Sequence, residues 1–173
     1  MLGRLGIPLV IVDIDVEERL DGYVAADSVA EVLARHKAEG YKGTIGKHQV
    51  LVTADTVVVL GGRVLGKPHS REEAVAMLGS LSGRSHQVYT GVCLRDSNAL
   101  HSFTERTDVH FKALTDEEIA YYVDTYRPYD KAGAYGIQEW IGMVGIERIE
   151  GCYYNVMGLP VARLYKELSA FAL

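Results

Sequence analysis

Several things are scarce in this chain of 173 residues, and each scarcity closes a route. Lysine and arginine number 18 against 23 aspartates and glutamates, a formal net charge of −5 with no basic block. A nucleic-acid polymer is therefore not the expected partner, although a small anionic ligand depends on local lysines rather than on the total. Only two cysteines occur, Cys93 and Cys152, with no C-x-x-C pattern, and they read as reduced structural residues. No leader-like segment opens the sequence and no apolar run approaches a membrane span, so a soluble cytoplasmic protein is expected. The G-x-x-x-x-G-K-[ST] loop and the G-x-G-x-x-G fingerprint are both missing. The six histidines show no metal-ligand spacing, and no Ser-His-Asp arrangement is visible. Internal repeats and low-complexity linkers are absent too.

What is present is ordinary globular material: 48% hydrophobic and 24% charged residues over 19.0 kDa, enough for the core of one domain, residues 1–173. Residues 1–6 read as the tail of a helix ended by Gly6, and Leu9 to Ile14 as a buried β-branched strand. Ser28 with Glu31 spells a capping box for a helix whose apolar face is Val29, Val32, Leu33 and His36, with Lys37 at the edge of that face. Gln49–Val52 and Thr56–Leu60 read as strand runs on either side of Ala54-Asp55, and Gly61-Gly62 as a tight hairpin leading back through Val64-Leu65. Ser70 with Glu73 opens a second helix, with Ala74, Met77, Leu78 and Leu81 inward and Gly83 as its stop. Ser85–Arg95 and Leu100–Phe111 read as an antiparallel pair. Thr115 with Glu118 opens a third helix with Ile119, Tyr122 and Val123 inward. Gly142 to Ile149 and Tyr153 to Val156 read as strands, and Pro160 starts a last helix bearing Val161, Leu164, Tyr165, Leu168 and Phe171. Interleaved strands and helices give an α/β class with a mixed sheet.

One segment carries more functional groups than a turn needs. Tyr129 to Trp140 holds an acid (Asp130), a base (Lys131), two glycines, two tyrosines and an amide (Gln138) directly after Pro128. Glycines let backbone approach a ligand, and an amide both donates and accepts. A planar polar ligand with an anionic tail would use all of these features. Upstream, Asp55 interrupts an apolar strand region, where an acid is costly unless it is paired or binds something. Thr56 adds a hydroxyl, and Gly66-Lys67-Pro68 returns to the same neighbourhood. Lys37, Lys67 and Lys131 are candidate phosphate ligands, each a point charge towards phosphate oxygens. The acidic run Asp15, Glu17, Glu18 is a weaker candidate for a divalent cation.

Taken together, Thr53-Ala54-Asp55-Thr56-Val57-Val58, Leu65-Gly66-Lys67-Pro68, His86 to Val92, Asp130 to Gln138, Ile149-Glu150-Gly151 and Asn155 to Pro160 closely resemble the Maf family of nucleoside triphosphate pyrophosphatases. The resemblance runs through essentially the whole chain. Its D-K-A-G-x-Y-G-I-Q segment is similar to the branch acting on dTTP and UTP, with modified pyrimidine nucleotides as further candidates. It implies an elongated central sheet flanked by helices in two lobes, with a nucleotide cleft between them, as in the inosine-triphosphatase-like folds. It implies hydrolysis between the α- and β-phosphates to a monophosphate and pyrophosphate. Carried onto this chain, Asp55 matches the proton acceptor, Thr56 and Gln138 match base-selecting positions, and Lys37, Lys67 and Lys131 surround the triphosphate. Glu18 and Asp55 are the expected ligands of a divalent cation, Mg²⁺ or Mn²⁺. A homodimer is the implied assembly.

Family members open with a strand and an S-x-S-P-R-R loop, and residues 1–8 here match the end of the helix that follows it. The expectation is a domain truncated at its N-terminus relative to the family. The alternative function is then a Maf-like protein that binds nucleotides or regulates without efficient turnover, because arginine forks are hard to replace around a triphosphate.

Overall fold

The computed structural model describes residues 1–16, 20 and 22–171. Five strands form one sheet: β1 (Leu51–Leu60), β2 (Arg63–Leu65), β3 (Ser85–Arg95), β4 (Leu100–Phe111) and β5 (Ile146–Glu150), in the order β2-β1-β3-β4-β5. All pairings among the described residues are antiparallel. Two tight hairpins set the registers. Gly61 and Gly62 join β1 to β2 with φ of 57° and 81°, the doubly positive turn that matches strand twist. Between β3 and β4, Asp96 Oδ1 accepts from the N–H groups of Asn98 and Ala99 at 2.6 and 2.7 Å. The two runs expected around Ala54-Asp55 are one continuous strand, because the ladder passes straight through Asp55↔Gly91 and Thr56↔Thr90.

Strand alternation divides the helices between two faces. On one face, α1 (Val29–Gly40) packs Val29, Ala30 and Leu33 on Val57 and Val59, and Ala34 and Ala38 on Leu51 and Cys93. The opposite face carries α2 (Arg71–Leu81) and α3 (Asp116–Tyr126), whose apolar sides close over Val58, Leu60, Val88 and Val109. Further along that face α6 (Val161–Phe171) sets Leu164 among Val92, Leu94 and Phe103. The core therefore lies in separate clusters along the sheet, as an α/β fold with helices on both faces requires.

The caps show where local signals hold and where they lose. At α3 the capping box forms in full: Thr115 Oγ1 accepts from Glu118 N–H at 3.2 Å, and Glu118 Oε2 accepts from Thr115 N–H at 3.0 Å. At α2, Ser70 accepts from Glu73 N–H, but the Glu73 carboxylate accepts from His69 N–H instead of closing the box. The box expected at Ser28 and Glu31 is not made. Ser28 donates to Asp27, while the Glu31 carboxylate accepts from the Ser102 and Thr104 hydroxyls of β4 at 2.6 and 2.7 Å. Burial disfavours the charged Glu31, but these two hydrogen bonds, together with the charges of Arg35 and His101, outweigh it and hold the carboxyl below its ordinary range. Val29 and Leu33 are buried as expected, but Val32 and His36 sit beside the stripe, which Ala30, Ala34 and Ala38 complete.

Three strand expectations give way. Leu9 to Val12 is exposed, and none of the described strands pairs with 9–14. A β-branched run becomes a strand only where a neighbour takes its backbone hydrogen bonds. Gly142 opens no strand, because α4 (Trp140–Gly145) coils back until a Cβ at Gly142 would lie 1.8 Å from the Ile137 carbonyl oxygen. Only from Ile146 does the chain extend as β5. Tyr153–Val156 is a helical turn, α5, closed by Met157 N–H donating to Tyr153 C=O at 3.1 Å. Asn155 pulls that turn onto the sheet, donating to Val88 C=O and Thr107 Oγ1 at 3.1 and 3.0 Å. At the other end, 2–5 form a 3-10 turn that Gly6 ends in the left-handed region, φ 70°.

Both cysteines are free, and burial pushes the Cys93 thiol up to about 11, which marks it as an inert packing residue. His86 is fully buried, stacked 5.5 Å from Phe111 and 2.8 Å from the Tyr135 hydroxyl. Desolvation depresses its pKa to about 4. The unfolded chain protonates this histidine near 6.5 and the folded chain does not until about 4. Stability therefore falls as pH drops through that window, by up to about 3 kcal/mol for this one group. Urea unfolding at pH 7 and pH 5 is expected to show the loss, and His86→Phe to flatten it.

Candidate functional site

A cleft of about 300 Å³ opens around the middle of β1. Its floor is Ala54, Asp55, Thr56 and Val58 of β1, with Val88 of β3. One wall is the segment after α3, from Asp130 to Gln138, and the other is Val156 to Gly158. Asp55, Thr56, Lys67, Lys131 and Gln138, singled out from widely separated motifs, all line it.

The Asp130–Gln138 wall is shaped by backbone. Gly133 and Ala134 both adopt positive φ, 69° and 61°. A Cβ at Gly133 would come within 3.0 Å of the Val58 methyls, so only glycine lets this turn lie on the strand. Gly133 N–H donates to Gly66 C=O at 3.0 Å, which ties the segment to the loop bearing Lys67. Two lysines far apart in sequence thereby stand on one wall. Tyr122, fully buried on α3, braces the turn from behind. Its hydroxyl accepts from Gly136 N–H at 3.0 Å and donates to the Glu139 carboxylate. Burial, reinforced by Glu139, raises the Tyr122 pKa and keeps that hydroxyl protonated.

Lys131 Nζ lies 2.8 Å from Asp130 Oδ1 and 3.2 Å from Glu139 Oε1. Burial works against its charge, but the two carboxylates raise its pKa above the usual lysine value. Asp130 is correspondingly held below its usual range, first by the Lys131 hydrogen bond and with a smaller contribution from Lys67.

Asp55 is reached from α1. Lys37, on the last turns of α1, donates to Asp55 Oδ2, with both side chains largely buried. The helix is pinned in that position by Thr53 Oγ1 donating to Ala34 C=O at 2.6 Å and by its close approach to Gly91. The acid that is costly in an apolar strand is thus paired, as its burial demands. Thr56 points the other way, 2.8 Å from Thr90 Oγ1, which in turn donates to Asn155 C=O at 3.0 Å. Glu18, the remaining expected ligand, lies outside the described residues.

Some participants were not legible in the sequence. Glu139 and Tyr122 are neighbours in the site only because α3 and the loop after it fold together. Thr90 and Asn155 meet only through the β1–β3 register and the α5 turn. Two other surface hollows, one beside Arg95–Leu100 and one beside Ser28–Glu39, hold none of the residues singled out above as phosphate or base contacts.

The profile of the Maf-like proteins matches residues 1–171. The chain belongs to this family. Among its relatives, a Bacteroides thetaiotaomicron protein described as a dTTP/UTP pyrophosphatase is 50% identical over 169 residues, covering 97% of this chain and 88% of the relative. A Porphyromonas gingivalis protein with the same description is 53% identical over 159 residues, 91% of this chain and 80% of its own length. One from Flavobacterium johnsoniae, also so described, is 44% identical over 155 residues, 90% and 80%. The Maf fold thus accounts for the α/β architecture seen here, a five-stranded sheet flanked by helices.

Proposed function

We propose that this Maf-like chain hydrolyses dTTP and UTP between the α- and β-phosphates, releasing the monophosphate and pyrophosphate. Modified pyrimidine triphosphates fall within the same reading. The observation that carries it is the convergence of Asp55, Lys67, Lys131, Thr56 and Gln138 on one cleft, in a family whose relatives bear that description. Asp55 is the proton acceptor. Lys37 engages Oδ2, leaving Oδ1 of the same carboxylate to take the proton of an attacking water. Lys67 and Lys131 neutralise phosphate oxygens as charge moves on to the pyrophosphate. The Asp130 and Glu139 partners hold Lys131 protonated and aimed, and Tyr122 holds Glu139. Thr56 and Gln138 meet the base, against the apolar floor made by Val58 and Val88.

Charge arithmetic bears on the cofactor. Among the described residues lining the cleft or paired with its lining, Lys37, Lys67 and Lys131 are matched by Asp55, Asp130 and Glu139. These groups balance, and a triphosphate brings several negative charges of its own. A divalent cation, Mg²⁺ or Mn²⁺, fits that deficit. Among the described residues no three His, Cys, Asp or Glu side chains gather into a metal cage. Mg²⁺ commonly binds through one or two carboxylates plus substrate phosphates, so Asp55 suits it, with Glu18 as the second proposed ligand. Such an ion would supply charge neutralisation and a more acidic water.

No described helix is long and apolar enough to cross a membrane. A cytoplasmic, homodimeric enzyme formed as a single Maf-like domain completes the reading. The test is pyrophosphate release from dTTP and UTP with Mg²⁺ or Mn²⁺. Metal-dependent release supports it. Nucleotide-dependent thermal stabilisation without release would replace it with a binding protein.

A further inference from the structure

Thr56 is held by a chain of hydroxyls whose proton directions can be counted. Thr90 Oγ1 lies 3.0 Å from Asn155 C=O, and a carbonyl can only accept. The single proton of Thr90 is therefore spent on Asn155. Thr56 Oγ1, 2.8 Å from Thr90 Oγ1, must then be the donor in that second bond. Its own proton points into the sheet, and what it turns to the cleft is lone pairs alone.

The anchor of the chain is firm. Thr90 is fully buried, and Asn155 is fixed by donating to Val88 C=O and Thr107 Oγ1. Thr107 Oγ1 also takes part in hydrogen bonds with the Cys152 N–H and C=O, so the α5 turn cannot rotate away. Gly158, at the end of that turn, has no side chain to cover Thr56; a Cβ there would sit 3.6 Å from the hydroxyl oxygen.

We propose that Thr90 is a specificity-determining positioning residue, which locks Thr56 as an acceptor so that the cleft selects a pyrimidine whose ring N3 carries a proton. This rests on the pyrimidine reading of the cleft given above. Uracil and thymine present a ring N3–H, whereas cytosine presents a bare N3 acceptor on the same edge. Two acceptors facing each other repel, and one of them is left unpaired. Gln138 cannot make this distinction, because an amide offers a donor or an acceptor as it turns. The locked hydroxyl can.

The test compares UTP with CTP, by pyrophosphate release and by calorimetric binding of their non-hydrolysable α,β-methylene analogues. Wild type is expected to favour the uracil nucleotide in both readouts. Thr90→Val, close in volume and without the hydroxyl, frees the Thr56 proton to point either way. The preference for UTP over CTP in kcat/KM and in Kd should then shrink by roughly tenfold. Thr90→Ser should restore it. Thr56→Val leaves the Thr90–Asn155 bond intact and should abolish the preference too, which keeps the question answerable if Thr90→Val folds poorly. A purely structural role would lower both nucleotides together and leave the ratio alone. An unchanged ratio in Thr90→Val and Thr56→Val, or no uracil preference in wild type, overturns the inference. Base discrimination in binding without any pyrophosphate release overturns the proposed activity while upholding the role of Thr90.

Discussion

Asp55→Asn should reduce pyrophosphate release from UTP by about 10²- to 10⁴-fold, the range lost with a positioned general base. The substitution keeps the shape of the side chain and an oxygen for Lys37 to meet, but it removes the carboxylate that β1 brings to the cleft. Nucleotide affinity should change far less, because Lys67 and Lys131 stand on the wall of the cleft and Lys131 keeps its carboxylate partners. Steady-state kinetics beside calorimetric titration separates the two effects. A collapse of kcat with Kd nearly constant is the expected pattern. Equal losses in both would make Asp55 a binding residue instead.

Gly91→Val is expected to cost the fold about 3 kcal/mol, in the upper part of the range for overpacking. Gly91 lies on β3 opposite Asp55, where α1 touches the sheet. A Cβ there would fall 2.2 Å from Glu31 N and 2.3 Å from Ala30 C, both backbone atoms that cannot rotate aside. Only a shift of the whole helix relieves the clash. That shift would carry Lys37 from Asp55 and strain the Glu31 bonds to Ser102 and Thr104. For a chain of this size the melting temperature should fall by roughly 6–12 °C. The activity of the surviving folded fraction should fall as well. A stable Gly91→Val with normal turnover would show that α1 is not seated as described.

These two positions also show what sequence could and could not convey. Asp55 was legible because a carboxylate in an apolar strand is anomalous by itself. Its partner Lys37 was legible only as a lysine on the edge of a helix face. The closeness of α1 to Gly91 depends on packing across the sheet, which no local pattern reports. The same division runs through the fold. Thr115-x-x-Glu118 and Gly61-Gly62 act within a few residues, and both formed as their chemistry dictates. Ser28-x-x-Glu31 has the same spelling, yet two hydroxyls about seventy residues away in sequence captured its carboxylate. Leu9–Val12 has strand composition but no neighbour among the described strands, and 142–145 went helical because the Ile137–Gly142 backbone folds on itself. In the cleft, the motif residues could be named individually, whereas Tyr122, Glu139, Thr90 and Asn155 enter through registers and turns set by the whole chain.

The proposed reaction is cleavage between the α- and β-phosphates in the cleft that Asp55 lines. Phosphorus NMR of UTP incubated with the protein and Mg²⁺ tests it most directly, with Asp55→Asn alongside. UMP and pyrophosphate appearing together, and only with the unaltered aspartate, are the predicted products. UDP and inorganic phosphate, or equal turnover by Asp55→Asn, would contradict it.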